Sequence, residues 1–392
     1  MKRHNITLVS NGITFAFKNV PEKKYRNYVS MTTQEFDIKT FQTNGFPYKL
    51  QIEPTNTCNL SCPVCPVGSG KLGRKPKHMT LNEFKSIIDD MGKYLLLLGM
   101  WEWGEPFMNP ELPAMIKYAS KHGIKTITST NAHFLHNERY VEAILKSGLT
   151  CLVVAIDSLD GEEYKVYRKR GSLTKALSGL ENLIKMKKRL KSKTLINLRM
   201  VIMKQNEHEL NKIRKTAKDI GADIFTVKTL NPACGLDSMN HGLVPSNQKY
   251  RRYEYRKGTR EPIRIDNQCR KIWHMSHIFS NGDVVHCCYH YGGKQPLGNV
   301  TQTPFTKIWN SQPYRTMREQ IYNHRTSLSV CNECVVNFKL SRGTYYPEVV
   351  YFNQGLFSRI EFFFITGLRK AYERSPFWRK ILQKMKKIKY SF

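Results

Sequence analysis

The sequence predicts an α/β fold: an open, partial (β/α)6 barrel of the TIM type, followed by a small C-terminal domain organised by cysteines. Three observations carry this. Six strand-like runs alternate with helical runs between residues 48 and 230, and regular alternation implies parallel strands joined by right-handed crossovers. The alternation stops after Leu230. Five of the ten cysteines then fall within residues 269–338. Six units fall short of the eight that close a barrel, so the sheet is expected to stay open, with functional loops at the C-terminal strand ends.

Residues 1–47 read as an accessory segment, with strand patterns at Ile6–Ser10 and Thr14–Phe17. The first barrel strand is Tyr48–Pro54. Thr80-Leu-Asn-Glu83 has the spacing of a capping box and opens a helix to about Met91. Tyr94–Trp101 is a continuous apolar run, the mark of a buried strand. A helix over Pro110–Lys121 leads to a β-branched strand at Ile124–Thr130. The helix Asn137–Ser147 ends at Gly148, which suits a left-handed stop. Strand Cys151–Ile156, the long amphipathic helix Leu173–Lys191, strand Leu195–Met203, helix Glu207–Ile220 and strand Asp223–Leu230 complete the barrel, residues 48–230. Residues 231–268 read as a linker rich in Gly, Pro and basic side chains. In the next segment Asn281-Gly282 predicts a two-residue hairpin turn inside Ile278–Val285.

Composition sets further bounds. Hydrophobic residues are 40% and charged residues 24% of the 392, ordinary for a globular chain. The charge is not ordinary: Lys and Arg number 63 against 31 acids, a net +32. Such a surface attracts anions, whether phosphorylated molecules, anionic lipid or nucleic acid. No apolar leader and no run of about 20 apolar residues is present. The expectation is a cytoplasmic protein whose cysteines are thiols or metal ligands.

Cys58-Asn-Leu-Ser-Cys62-Pro-Val-Cys65 follows the first strand directly. Three thiolates on one short loop bind three irons of a 4Fe–4S cube and leave the fourth open. A structural zinc would want a fourth ligand. At this point the chain resembles the radical SAM superfamily, over roughly residues 48–230. The resemblance implies that the open iron chelates S-adenosylmethionine (SAM), which is reduced to methionine and a 5′-deoxyadenosyl radical. It also implies an electron donor, a reductase or a ferredoxin or flavodoxin. Trp103-Gly104-Glu105-Pro106 stands where the family has its GGE motif, with Trp103 replacing the first glycine. By the same resemblance Gly104, Glu105, Ser129, Asn131 and Arg199 are the cofactor-binding residues, Arg199 through the SAM carboxylate.

The spacing Cys269-x12-Gly282-x4-Cys287, then Cys331-x2-Cys334, resembles the first half of a SPASM domain. With no cysteine after Cys334, it matches the truncated Twitch form, which implies one auxiliary 4Fe–4S cluster on Cys269, Cys287, Cys331 and Cys334. Cys288 adjoins Cys287 and leaves the third ligand open between them. A fully ligated cluster cannot bind substrate, so electron transfer follows as its role. Asp157, Tyr167 and His290 are the candidates for proton acceptor.

Residues 339–392 form a basic, aromatic tail in which Ile381, Met385 and Ile388 share a helical face. It suits an anionic membrane surface, reached peripherally; no nucleic-acid signature is present. The reading is therefore a radical SAM oxidoreductase of unassigned substrate. The alternatives are a radical SAM enzyme that epimerises or cross-links a peptide, and a non-enzymatic zinc protein at a membrane or nucleic acid.

Overall fold

The computed structural model describes residues 4–33, 37–231, 242–259, 261–265, 268–341 and 345–352. The basic tail beyond 352 and Cys234 lie outside the described residues.

The chain opens with a hairpin of β1 (Ile6–Ser10) and β2 (Ile13–Phe17). Asn11 and Gly12 turn it with φ of 55° and 78°, the backbone that Asn-Gly supplies most easily. Helix α1 (Glu22–Thr33) leads to the barrel.

The six expected barrel strands are all present: β3 (Lys49–Ile52), β4 (Leu97–Met100), β5 (Lys125–Thr130), β6 (Cys151–Ala155), β7 (Leu195–Ile202) and β8 (Ile224–Thr229). They lie side by side in chain order, every pair parallel. The intervening helices are α2 (Leu81–Met91), α3 (Leu112–Lys121), α4 (Glu138–Lys146), α5 (Gly161–Tyr167), α6 (Leu173–Arg189) and α7 (Leu210–Ile220). Their ends follow local chemistry. Thr80 and Glu83 form the capping box of α2, and Gly221 closes α7 at φ 92°.

Alternation along each strand separates two cores. In β7, Ile196, Leu198, Met200 and Ile202 face the helices and join the main apolar cluster. Cys151, Val153, Leu97, Ile127 and Ile224 face inward and pack with Ile6, Leu8, Ile13, Phe15 and Phe17 of the first hairpin. The accessory segment is thus a plug on the inner face of the barrel wall. Lys49 Nζ donates to Ser10 Oγ at 2.6 Å and so joins plug to wall.

The sheet does not stop at six strands. A segment before the hairpin of the second cysteine region, β9 (Met275–Ile278), adds in parallel to β3, with Gln51 beside His277. Strands β10 (Asp283–Val285) and β11 (Gly298–Asn299) extend that edge, and β12 (Glu348–Tyr351) pairs antiparallel with β8 at the other. Helices α8 (Phe305–Ile308), α9 (Gln312–His324) and α10 (Ser329–Asn332) follow β11. The predicted two-residue turn at Asn281-Gly282 is corrected. Phe279 pairs with Asp283 across three residues, Gly282 has φ 86°, and its N–H donates to Phe279 O. This is a turn closed by a glycine bulge. A tertiary contact accompanies the longer loop: the Ser280 N–H and hydroxyl both donate to Glu53.

The plug should carry real stability. Phe15 is 2% exposed within the inner core, and Phe15→Ala is expected to lower the unfolding free energy by about 3–5 kcal/mol in denaturant titration.

Candidate active site

The loop after β3 carries the first cysteines. It is shaped by its own polar groups: the Asn56 side chain donates to Lys75 O and accepts from Lys77 N–H, at 2.8 and 2.7 Å. Each cysteine sulfur receives a donor. Leu60 N–H reaches Cys58 Sγ at 3.4 Å, Arg168 Nη1 lies 3.9 Å from Cys62 Sγ, and backbone N–H groups of Val67 and Gly68 serve Cys65. Burial pushes the Cys58 thiol up to about 12 and raises Cys62 and Cys65 as well. A buried trio of this kind becomes thiolate when a metal takes the proton's place. The donor set therefore fits iron ligation at three corners.

The loop after β4 packs directly against this loop. Gly104 has φ 122°, and a Cβ there would lie 2.4 Å from Thr55 O. Glu105 N–H donates to Thr57 O at 2.7 Å. The Glu105 carboxylate is buried, and burial raises its pKa to about 7. Its oxygens accept from Phe107 N–H and Asn131 N–H, at 3.2 and 2.7 Å. It thereby clips the end of β5 to the end of β4. Asn131 turns its side chain toward Asn59 at 2.8 Å and Cys58 Sγ at 3.9 Å. Gly104, Glu105 and Asn131 are thus brought onto the cysteine loop, while Ser129 stands half-buried two residues earlier on β5.

Other predicted residues are placed differently. Arg199 is buried in the barrel interior, where Nε donates to Thr226 Oγ1 at 2.9 Å and Nη2 to Asn11 O at 2.6 Å. Nε is thus tied to β8 and Nη2 to the plug, and among the described residues Nη1 carries no hydrogen bond. Asp157 is not a free base. Arg168 Nε donates to one oxygen at 2.6 Å and Val201 N–H to the other at 2.8 Å. Burial raises the Tyr167 phenol well above its ordinary value, which removes it as an acceptor near neutrality. Half-buried His290 stacks obliquely on His286, with ring centroids 5.4 Å apart, and burial lowers it.

The second group assembles from three segments. Cys269 precedes β9, Cys287 and Cys288 follow β10, and Cys331 and Cys334 lie in and just after α10. Their thiols act on one another: Cys269 on Cys331 and Cys334, Cys334 on Cys287, Cys288 on Cys334. Tyr289 N–H points at Cys287 Sγ at 3.5 Å, the same two-residue pattern as Leu60 on Cys58. Among the described residues no three His, Cys, Asp or Glu side chains close around a single ion. Cysteines brought together from separate segments can serve an iron–sulfur cube, whose irons occupy separate corners.

Three side chains that the motifs did not mark join the two groups. Arg74, in the first cysteine loop, forms a double hydrogen bond with buried Glu53, both at 2.7 Å, and donates to Tyr291 O at 2.7 Å. The Trp103 indole N–H donates to Cys288 O at 3.1 Å. Glu102 meets His277 of β9 at 3.0 Å, both nearly buried. The only signal in the sequence was the Trp at the family's glycine position.

Residues 52–217 match the model of the radical SAM superfamily, and 269–335 match that of an iron–sulfur cluster-binding domain of the SPASM type. An AdoMet-dependent heme synthase of Methanosarcina barkeri is 24% identical over 313 residues, 70% of this chain and 85% of the relative. A PqqA peptide cyclase of Bradyrhizobium diazoefficiens is 29% identical over 191 residues, 48% of each chain. The crystal structure of Streptococcus suis SuiB bound to S-adenosylmethionine superposes with TM-score 0.55 over 74% of this chain and 71% of that one, at 18% identity. At that identity the likeness concerns fold alone. Among the described residues no helix is long and apolar enough to cross a membrane.

Two substitutions test the site. Gly104→Ala forces a side chain into the cysteine loop, so reconstituted iron should fall by about half, with the second cluster retained. Arg168→Gln removes a cation from Cys62 and should lower the midpoint potential of the first cluster in an EPR-monitored titration, because the reduced cluster carries more negative charge.

Proposed function

We propose that this chain, which belongs to the radical SAM superfamily and carries a SPASM-type iron–sulfur domain, is an oxidoreductase that takes one hydrogen atom and then one electron from its substrate. When bound, the first cluster with SAM supplies the 5′-deoxyadenosyl radical, and the auxiliary cluster supplies an electron acceptor. Cys58, Cys62 and Cys65 hold the first and leave one iron for SAM. Gly104 lets the backbone approach closely, and Glu105, Ser129 and Asn131 line the SAM side; Arg199, tied to Thr226 and Asn11 in the barrel interior, is left out of the SAM set.

The observation that carries the oxidoreductase reading is the shared sheet edge. Strand β9 of the second cysteine region is hydrogen-bonded to β3, whose end bears the first cysteine loop. Trp103, Arg74 and Glu102 then bind the two regions together. Such a joint holds an electron acceptor beside the space where a substrate radical forms. The substrate C–H bond gives its hydrogen atom to the 5′-deoxyadenosyl radical, which becomes 5′-deoxyadenosine. The radical then loses a proton to a base and its electron to the acceptor, a two-electron oxidation overall. Cys269, Cys287, Cys331 and Cys334 are the acceptor's ligands in this reading, with Cys287 favoured over Cys288 by its amide donor. With Asp157 tied up, His277, oriented by Glu102, replaces it as the proton acceptor of choice. A chain of +32 suits an acidic flavodoxin or ferredoxin as donor, in the cytoplasm or against an anionic membrane through the basic tail.

A peptide substrate is the second reading, favoured by the likeness to a PqqA peptide cyclase. Epimerisation or cross-linking would then replace net oxidation at the same site.

Anaerobic reconstitution should load about eight irons per chain, and dithionite with SAM should release 5′-deoxyadenosine. The triple variant Cys58→Ala, Cys62→Ala, Cys65→Ala should keep about four irons and make no 5′-deoxyadenosine. Zinc in place of iron, or continued SAM cleavage by the triple variant, would overturn the reading.

A further inference from the structure

The inner surface of the barrel near β7 and β8 collects positive charge. Arg199 projects from β7, and its guanidinium lies over the Tyr346 ring, 5.0 Å from the centroid. Arg252, from the segment after β8, lies over the Tyr345 ring at 4.8 Å. Its Nε and Nη2 donate to Thr229 Oγ1 and Thr229 O, at 3.2 and 2.6 Å. Both residues are more than nine-tenths buried. Each keeps Nη1 without a hydrogen bond among the described residues. Lys271, two residues past Cys269, acts on Tyr345 and on the thiols of Cys287, Cys288 and Cys334.

The acids nearby belong to other partners. Glu53 is closed by Arg74, Asp157 by Arg168 and Glu102 by His277. No carboxylate among the described residues forms an ion pair with Arg199, Arg252 or Lys271. Tyr346 registers the imbalance. Burial raises the phenols of Tyr253 and Tyr345 close by. Burial raises Tyr346 too, yet Arg199, Lys228, Arg252 and Lys271 together bring it below its ordinary value. Lys271 in part answers the second cysteine group. Among the described residues Arg199 and Arg252 have no such counter-charge, and an anion beside buried like charges lowers their cost.

We propose that Arg199 and Arg252, framed by Tyr345 and Tyr346, form an anion site that takes a carboxylate or phosphate group of the substrate. The word substrate rests on the enzymatic reading above; the site itself does not. Two rigid guanidinium groups present N–H donors to an oxyanion. Their place between β7, β8 and the second cysteines holds the far part of the molecule against the acceptor side of the barrel. The substrate class is therefore an acid, recognised by its charged end.

The test is equilibrium binding to the reconstituted holoenzyme with SAM at about 0.15 M salt, where surface attraction is screened. The probes are inorganic phosphate, glutarate and its neutral diamide, glutaramide, read by calorimetry. Saturable binding of phosphate or glutarate is expected, and none of glutaramide; the better of the two anions distinguishes a phosphate-bearing from a carboxylate-bearing substrate. Arg252→Gln should weaken that binding at least tenfold. Arg252→Lys, which keeps the charge and guards against misfolding, should retain most of it. Equal affinity in wild type and Arg252→Gln, equal binding of glutaramide, or no saturable binding would each overturn the anion site. Wild-type SAM cleavage is measured alongside: cleavage without anion binding defeats this inference alone, whereas absence of cleavage defeats the reading beneath it.

Discussion

A single buried carboxylate, Glu53 at the end of β3, organises the meeting of the two cysteine regions. It accepts both hydrogen bonds of the Arg74 guanidinium, two from Ser280, and one from Trp103 N–H. Those donors belong to the first cysteine loop, the β9–β10 turn and the loop that holds Gly104. A charge buried this completely is tolerable only when its lone pairs are all engaged. Removing any donor leaves an unsatisfied charge, so the three loops are held in one relation. The Arg74 guanidinium also lies on the Phe279 ring at 3.8 Å, which closes the joint from the apolar side.

The same logic recurs around the site. Glu105 clips β4 to β5 through two backbone N–H groups, and Asp157 clips α5's end to β7 through Arg168 and Val201. Carboxylates at the strand ends thus act mainly as struts. Because they are bound to other partners, they do not neutralise the guanidinium groups further round the barrel. The electrostatic contrast inside the barrel follows from this division: paired acids under the first cysteine loop, and near β7 and β8 two arginines with no acidic partner among the described residues.

Much of the fold was legible in the residues. Alternating strand and helix patterns, the Thr80–Glu83 box and Gly221 are local signals, and each strand formed where its apolar run stood. The three-cysteine loop was equally legible, because its spacing needs no tertiary information. The misreadings share one cause. Asp157 reads as a base in the sequence, but Arg168, eleven residues on, holds it. Asn281-Gly282 reads as a two-residue hairpin turn, but the loop takes in Ser280, which is anchored to Glu53. Trp103 stands where the motif has its first glycine, and its indole reaches Cys288, 185 positions away.

By itself the sequence determined the barrel order, the first cysteine triad and the set from which the second is drawn, since these depend on periodicity and short spacings. Only the tertiary structure decided that β9 extends the barrel sheet, that the N-terminal hairpin plugs its inner face, and which charges are paired. Hydrogen bonding and burial join residues hundreds of positions apart, and no local pattern records such a partner.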